Sequence, residues 1–166
     1  MSRGFVREED QEEAPIIPLR APLPMGVANY VTPRGLEQLR TERQALELER
    51  QKVEGSDYER RRAHAENDGR LAQLQERLNS ARVVEPTTAN EEVRFGCTVT
   101  IQHLNGTQQG TERQWTIVGV DEATVKELRI AFTAPLARAL MGRRVGDEVE
   151  LQNGPTLQLF CIRHIA

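Results

Sequence analysis

The stretch Glu54-Gly-Ser-Asp-Tyr-Glu-Arg-Arg-Arg62 interrupts two long segments that have the leucine spacing of a coiled coil. Gly55 suits the end of a helix, and the serine and aspartate that follow suit the start of the next one. The apolar positions of the two segments are spaced by three, four or seven residues: Leu36, Leu39, Leu46 and Val53, then Leu71, Leu74, Leu78 and Ala81. This spacing predicts two helices that pack along one apolar seam. We therefore expect an antiparallel helical hairpin that turns within Glu54 to Asp57.

The outer ends of both helices carry their own signals. Thr32 is a hydroxyl N-cap, Pro33 suits the first helical position, and Pro86 stops the second helix. We expect helix throughout residues 32 to 84, in two arms of about 22 residues that form a rod of roughly 33 Å. Near the turn the seam becomes polar, with Arg43, Arg50, Arg60, His64 and Asn67. Two such helices are marginally stable alone, so the hairpin must lean on a globular body.

Residues 1–29 form a leader that is rich in acid and proline. Its acidic run consists of Glu8, Glu9, Asp10, Glu12 and Glu13, and its prolines are Pro15, Pro18, Pro22 and Pro24. Such a segment neither sustains a helix nor donates regularly to a sheet. The sequence therefore predicts a flexible or extended leader that is solvated. The alternative is a docking segment that uses Ile16, Ile17, Leu19 and Leu23.

Residues 90–166 change to the alternating pattern of strands, with turn signals such as Asn105-Gly106. Within them, Thr133-Ala-Pro135 opens one short helix that ends at Gly142. Four of the seven aromatic residues lie here and mark the main core: Phe95, Trp115, Phe132 and Phe160. The predicted fold class is α+β, in which a helical hairpin over residues 30–85 precedes an antiparallel sheet with one short helix. We expect no strand before residue 90.

Composition excludes several classes of protein. The chain has 166 residues and a formal net charge of −3, which is too close to zero to indicate nucleic-acid binding by bulk electrostatics. No apolar run approaches the ~18 residues of a membrane span, and the N-terminus has no apolar signal core, so we expect a cytoplasmic protein. Cys97 and Cys161 are too few for a disulfide scaffold and are expected to be buried thiols. No motif indicates a cofactor.

Six segments between residues 30 and 165 occur in the order found in one known family. Tyr30-Val-Thr-Pro-Arg-Gly-Leu-Glu-Gln-Leu39 resembles the opening of the bacterial Gre family of transcription elongation factors, of which GreA and GreB are members. Leu71 to Val84 is similar to the end of that family's second coiled-coil helix. Four segments of the C-terminal part complete the resemblance: Phe95 to Thr100, Ile117 to Ala123, Ala134 to Leu140 and Gly146 to Val149.

The resemblance implies a two-domain regulator of RNA polymerase. The FKBP-like C-terminal domain would dock at the rim of the enzyme's secondary channel, and the coiled coil would point into the channel. In cleavage-stimulating members, an Asp-Leu-x-Glu-Asn tip supplies two carboxylates that help to hold a catalytic Mg²⁺, which activates water to cut backtracked RNA. We therefore expect RNA polymerase as the partner, indirect contact with transcript RNA or DNA, and no membrane.

The tip of this chain departs from that motif. It consists of Ser56, Asp57, Tyr58, Glu59, Arg60 and Arg61. Asp57 and Glu59 are the nearest carboxylate pair, but helical residues two positions apart do not face each other, and the arginines compete with a cation. The arms are also shorter than those of the cleavage factors by about ten residues each, or ~15 Å of reach. The sequence therefore predicts a helix cap here, with no metal site and no catalytic residue.

The expected contact with the polymerase is the loop that precedes the short helix: Phe132, Thr133, Ala134 and Pro135. Pro135 matches the Ser-Pro loop with which family members are thought to grip the channel rim. The leading hypothesis is an accessory factor that occupies the channel without stimulating cleavage and is not itself an enzyme. The alternatives are a cleavage factor that uses Asp57 and Glu59 with Mg²⁺, and an FKBP-like prolyl isomerase or chaperone.

Overall fold

The computed structural model describes residues 14–87 and 91–166. The acidic run at residues 8–13, and residue 90 at the expected start of the C-terminal unit, lie outside the described residues. Two helices form the expected hairpin: α1 (Pro33–Gln51) and α2 (Asp57–Ser80). The turn begins earlier than predicted, because Lys52 closes α1 by donating its backbone N–H to the carbonyl of Glu49.

Both predicted helix starts are confirmed. The Thr32 side chain accepts a hydrogen bond from the N–H of Gly35, and Pro33 occupies the first position of α1. Ser56 caps α2, and Gly55 before it has a φ of +122°, which a residue with a side chain rarely adopts. These local contacts explain why a short turn is enough to reverse the chain.

The seam between α1 and α2 follows the leucine pattern. Leu39, Leu46 and Leu74 are at most 2% exposed, and Leu36, Leu71, Leu78 and Ala81 pack partly buried against them. Nearer the turn three of the five predicted polar positions are buried or half-buried, namely Asn67, Arg43 and His64, whereas Arg50 and Arg60 are exposed. The apolar contact is therefore concentrated at the base of the hairpin.

A pair of strands joins the two ends of the hairpin, and here the sequence prediction is wrong. Strand β1 (Asn29–Val31) lies parallel to β2 (Ala81–Val83), so the second helix ends at Ser80 and strands do occur before residue 90. Two valines before Pro86 favour extended backbone over helix. The Asn29 amide also donates to the carbonyl of Arg77 at 3.0 Å, which satisfies a free acceptor at the end of α2.

The C-terminal unit is a five-stranded sheet with one short helix. The elements are β3 (Thr98–His103), β4 (Glu112–Val118), β5 (Arg129–Ala131), α3 (Pro135–Leu140), β6 (Glu148–Asn153) and β7 (Thr156–Ile165), in the sheet order β5-β4-β3-β7-β6. The α+β fold class, with a hairpin followed by this sheet, is confirmed. The sheet is mixed, however, because β5 pairs parallel to β4. A 3₁₀ turn, Val125–Glu127, and the left-handed Leu128 lead the chain into β5.

The core of the sheet unit contains the aromatic residues that the sequence singled out. Trp115, Phe132 and Phe160 are buried, and Phe95 is half-buried beside Phe132 with ring centres 5.6 Å apart. Tyr30, which belongs to β1, packs edge-on against Phe132 at 5.7 Å. The base of the hairpin therefore shares the aromatic core of the sheet.

Both cysteines are buried, as expected. Burial raises the pKa of the Cys97 thiol, which disfavours the reactive thiolate. Among the described residues, no helix is both long and apolar enough to cross a membrane.

The described part of the leader, residues 14–28, differs from the solvated segment that the sequence favoured. It is extended but lies against the rest of the molecule, with Ile17 and Leu23 half-buried and Ile16 and Leu19 about 90% exposed. Arg20 in its middle makes ion pairs with Glu42 and Asp121. These residues therefore pack on the rest of the chain through two of the four apolar side chains, and docking of the segment to a partner stays a prediction.

Candidate functional site

The tip of the hairpin is built around a reciprocal cap. The Ser56 side chain accepts a hydrogen bond from the Glu59 N–H at 3.3 Å, and the Ser56 N–H donates to the Glu59 carboxylate at 2.8 Å. The Ser56 hydroxyl lies 2.8 Å from the same carboxylate oxygen. These bonds lower the pKa of Glu59, first through the backbone N–H of Ser56 and then through its side chain. Glu59 is thus held as an anion at the start of α2.

The second tip carboxylate also has a partner on its own helix. Asp57 forms an ion pair with Arg60, and Arg62 donates to the Tyr58 hydroxyl at 3.4 Å. Both carboxylates predicted as metal candidates are therefore engaged within the first turn of α2. Within residues 14–87 and 91–166, no three side chains of His, Cys, Asp or Glu come together as a metal site.

The loop before α3 contains one surface residue and one core residue. Pro135 is exposed at the first position of α3, and Thr133 and Ala134 are half-buried. Phe132, which the sequence grouped with them as a partner contact, is only 8% exposed and packs among Tyr30 and Phe95. Its assignment to the surface is wrong, because its ring supports the loop from inside the core.

A small cavity beside α3 was not predicted from the sequence. It encloses about 180 Å³, and Leu136, the residue after Pro135, lies on its wall together with Trp115 and Phe160. His103 packs edge-on against Phe160 at 4.9 Å, and burial, followed by the charge of Arg113, lowers the pKa of His103. The sequence does contain the alternating inward residues of β3, β4 and β7 that line this cavity. They could not be combined into one site from the sequence, because the order of the strands in the sheet brings them together.

A buried polar contact joins the hairpin to the sheet unit. The Glu122 side chain, 3% exposed, accepts hydrogen bonds from the Thr32 hydroxyl and from Arg129, the latter at 3.0 Å. The backbones approach closely at the same junction, where a Cβ on Gly119 would lie 2.6 Å from the Tyr30 carbonyl oxygen. Thr32 therefore caps α1 and also anchors it to the sheet unit.

The architecture is that of a two-domain α+β protein. A capped helical hairpin is anchored to a small mixed sheet, which carries one short helix that begins with a proline. Residues 88–159 match the family described as "Transcription elongation factor, GreA/GreB, C-term". A GreA transcription elongation factor of Legionella pneumophila is 34% identical over 123 residues, which cover 72% of each chain. The chain belongs to the GreA/GreB family of transcription elongation factors. Because the chain belongs to this family, the β1–β2 pair before residue 90, which the sequence did not predict, does not argue against membership.

Other similar proteins match different lengths of the chain. A GreA factor of a Bradyrhizobium strain is 41% identical over 88 residues, and the chain spans about half the length of that relative, 52%. The solved structure of the GreA factor homolog Gfh1 of Thermus thermophilus is 21% identical, covers 84% of this chain and 99% of its own, and has a TM-score of 0.40.

These relatives correct one expectation from the sequence. The sequence predicts a non-enzymatic accessory factor that does not stimulate RNA cleavage. Its relatives are named GreA, and factors of this kind stimulate RNA cleavage by RNA polymerase although they are not classic enzymes themselves. Its exclusion from that reaction is therefore withdrawn.

Proposed function

We propose that this chain binds RNA polymerase at the rim of the secondary channel and competes there with other Gre factors. In this proposal residues 90–166 are the docking unit, and residues 30–85 are an arm that enters the channel. The observation that carries the proposal is a capped hairpin anchored by Glu122 to a sheet unit within a Gre-family chain. An arm fixed to its docking unit has a defined direction when that unit binds.

The proposed docking surface is centred on Pro135. It includes Thr133 and Ala134 and the cavity that Leu136 lines. An exposed proline presents a rigid apolar surface, and an adjacent cavity with both apolar and polar walls can receive a side chain of the partner. The tip carries charges of both signs, with Arg60 to Arg62 beside Asp57 and Glu59, and its proposed contact with transcript RNA or DNA inside the channel is indirect.

Direct competition tests this proposal. Core RNA polymerase carrying a fluorescently labelled GreA relative is titrated with the unlabelled protein, and displacement is followed by anisotropy. We expect full displacement with a single binding constant. If the protein co-sediments with the polymerase while the GreA relative remains bound, the two proteins dock at different sites and the proposed site is wrong. If the protein does not bind the polymerase at all, the proposal is overturned.

The GreA relatives favour a second candidate function, the stimulation of transcript cleavage. Asp57 and Glu59 would then have to leave Arg60 and Ser56 to reach a Mg²⁺ ion. Under this candidate, the protein accelerates cleavage in a backtracked complex, and the double variant Asp57→Ala, Glu59→Ala loses the acceleration while it still displaces the relative. Equal cleavage by the protein and the double variant would exclude these carboxylates as the source.

A further inference from the structure

Residues 14–28, called the strap here, cross the molecule from the hairpin to the sheet unit. At one end the Ile17 side chain fills a notch in α2 at Gly69, where a Cβ would lie 2.0 Å from Ile17 Cδ1. At the other end Leu23 and Val27 pack against the core of the sheet unit. A glycine in the middle of a helix costs stability, so the notch at Gly69 indicates a specific fit rather than a chance contact.

Arg20 lies in the middle of the strap and contacts three other elements. Its two terminal nitrogens donate to the Glu42 carboxylate on α1 at 2.8 and 2.9 Å, and its Nε donates to Asp121 on the loop after β4 at 2.9 Å. Its backbone N–H donates to Gln73 on α2 at 3.2 Å. The planar guanidinium is thus used in a fixed geometry that a lysine cannot reproduce.

Side chains of α2 also contact the backbone of the strap and the second carboxylate oxygen of Asp121. Gln73 donates back to the Pro18 carbonyl at 3.4 Å, and Arg77 donates to the Ala21 carbonyl. Arg77 also lies 3.5 Å from the second oxygen of Asp121. The Asp121 side chain is only 7% exposed and Arg20 only 19%, so these charges are shielded from solvent.

The strap contacts the hairpin at a distance from the contact between Thr32 and Glu122, which joins α1 to the sheet unit. Glu42 is ten residues beyond Thr32, and therefore about 15 Å along α1 from the contact between Thr32 and Glu122. The Arg20–Glu42 contact therefore restricts rotation of the hairpin relative to the sheet unit more strongly than a contact of equal strength at Thr32 would. The four strap prolines, Pro15, Pro18, Pro22 and Pro24, restrict the free segment and so reduce the entropy lost on docking.

We infer that Arg20 is a positioning residue that fixes the direction of the hairpin relative to the sheet unit. This inference goes beyond the proposed function, since it concerns the free protein and holds with or without a polymerase. Without the Arg20 side chain, Glu42 on α1 and Asp121 of the sheet unit lose the cation that joins them, although the other strap contacts remain. A swing of ~10° would move the end of an arm of about 28 Å by roughly 5 Å, which is enough to misplace the tip.

The test is a distance measurement between spin labels in the free, full-length protein. Labels are attached at Glu54→Cys on the tip and at Gln152→Cys on β6, both exposed, while Cys97 and Cys161 are buried. We expect one narrow distance distribution for the parent and a distribution broadened by at least ~5 Å for Arg20→Gln. The matched control is Arg34→Gln, which removes an exposed ion pair between α1 and Glu127 of the sheet unit.

The control is expected to leave the distribution narrow, because a half-exposed pair contributes little. Circular dichroism establishes that each variant is folded. If Arg20→Gln does not fold, Arg20→Lys, which keeps the charge and loses the two-pronged contact, is expected to broaden the distribution partly. A narrow, unshifted distribution in a folded Arg20 variant, or equal broadening in Arg34→Gln, would overturn the inference.

Discussion

At the scale of single residues, the tip of the hairpin depends on Ser56 and Glu59 satisfying each other's hydrogen bonds. The capping serine compensates for the free N–H groups of the first turn of α2, and Gly55 supplies the left-handed backbone before it. The buried leucines of the seam lie nearer the base, and near the turn the two helices are joined by exposed ion pairs such as Arg50–Asp68 at 2.6 Å, which contribute little. The order of the tip therefore depends mainly on the cap formed by Ser56 and Glu59.

Replacing Ser56 with alanine removes both the side-chain acceptor and the contact with Glu59. We expect Ser56→Ala to lower the free energy of unfolding by about 1 kcal/mol and to increase amide exchange in the first turn of α2. Hydrogen exchange measured by mass spectrometry checks this, with Ser80→Ala at the other end of α2 as the control. Protection that is unchanged at residues 57–60 would contradict the role of the cap.

The pKa of Glu59 makes the tip sensitive to acid. Because the pKa in the folded state lies below the ordinary value of 4.5, the contribution of Glu59 to stability is complete above that value. It is lost as the pH falls through the lower, folded-state pKa. We expect the amide signals of Ser56 and Glu59 in NMR spectra to titrate below the ordinary pKa, and this titration to vanish in Glu59→Gln.

Pro135 is the residue on which the proposed docking depends. Pro135→Arg introduces a long charged side chain at the first position of α3, so we expect polymerase binding to weaken tenfold or more, about 1.4 kcal/mol. Pro155→Arg, in the turn between β6 and β7, makes the same exchange at another exposed proline and should bind normally. Equal binding constants for the parent and a folded Pro135→Arg protein would place the docking surface elsewhere.

At the scale of elements, Gly69 and Ile17 form a pair whose coupling can be measured. Gly69→Ala gains about 1 kcal/mol of helix propensity but pushes against the Ile17 side chain, so we expect no net gain in the parent. In an Ile17→Ala background the notch is empty, and the same substitution should stabilise the protein by about 1 kcal/mol. Urea unfolding of the four proteins gives the coupling, and additive effects would mean that Ile17 does not occupy the notch.

The elements that sequence reasoning predicted are those with local signals. The caps at Thr32 and Ser56, the leucine seam and the proline at the start of α3 are each encoded within a few residues. Strand β5 and the β1–β2 pair were missed because three-residue strands show no periodicity, and their partners are distant in sequence. The contacts of Arg20 were missed for the same reason, since Asp121 is 101 residues away.

At the scale of the whole molecule, the hairpin and the sheet unit share contacts that should make them unfold together. Glu122 bridges them while almost completely buried, and Tyr30 of β1 packs into the aromatic core of the sheet. The single tryptophan, Trp115, lies in that core, whereas most helical residues lie in α1 and α2. Tryptophan fluorescence therefore reports the sheet unit, and far-UV circular dichroism reports mainly the hairpin.

Removing Glu122 separates these two signals. Glu122→Ala leaves Arg129 without its buried partner and Thr32 without its acceptor, so we expect a loss of about 3 kcal/mol and an uncoupled hairpin. In the parent the two probes should melt at one temperature, and in Glu122→Ala the helical signal should melt first. Glu127→Ala, which removes an exposed pair with Arg34, should keep the two transitions together. Coincident transitions in Glu122→Ala would mean that the strap and the aromatic contacts alone couple the two units.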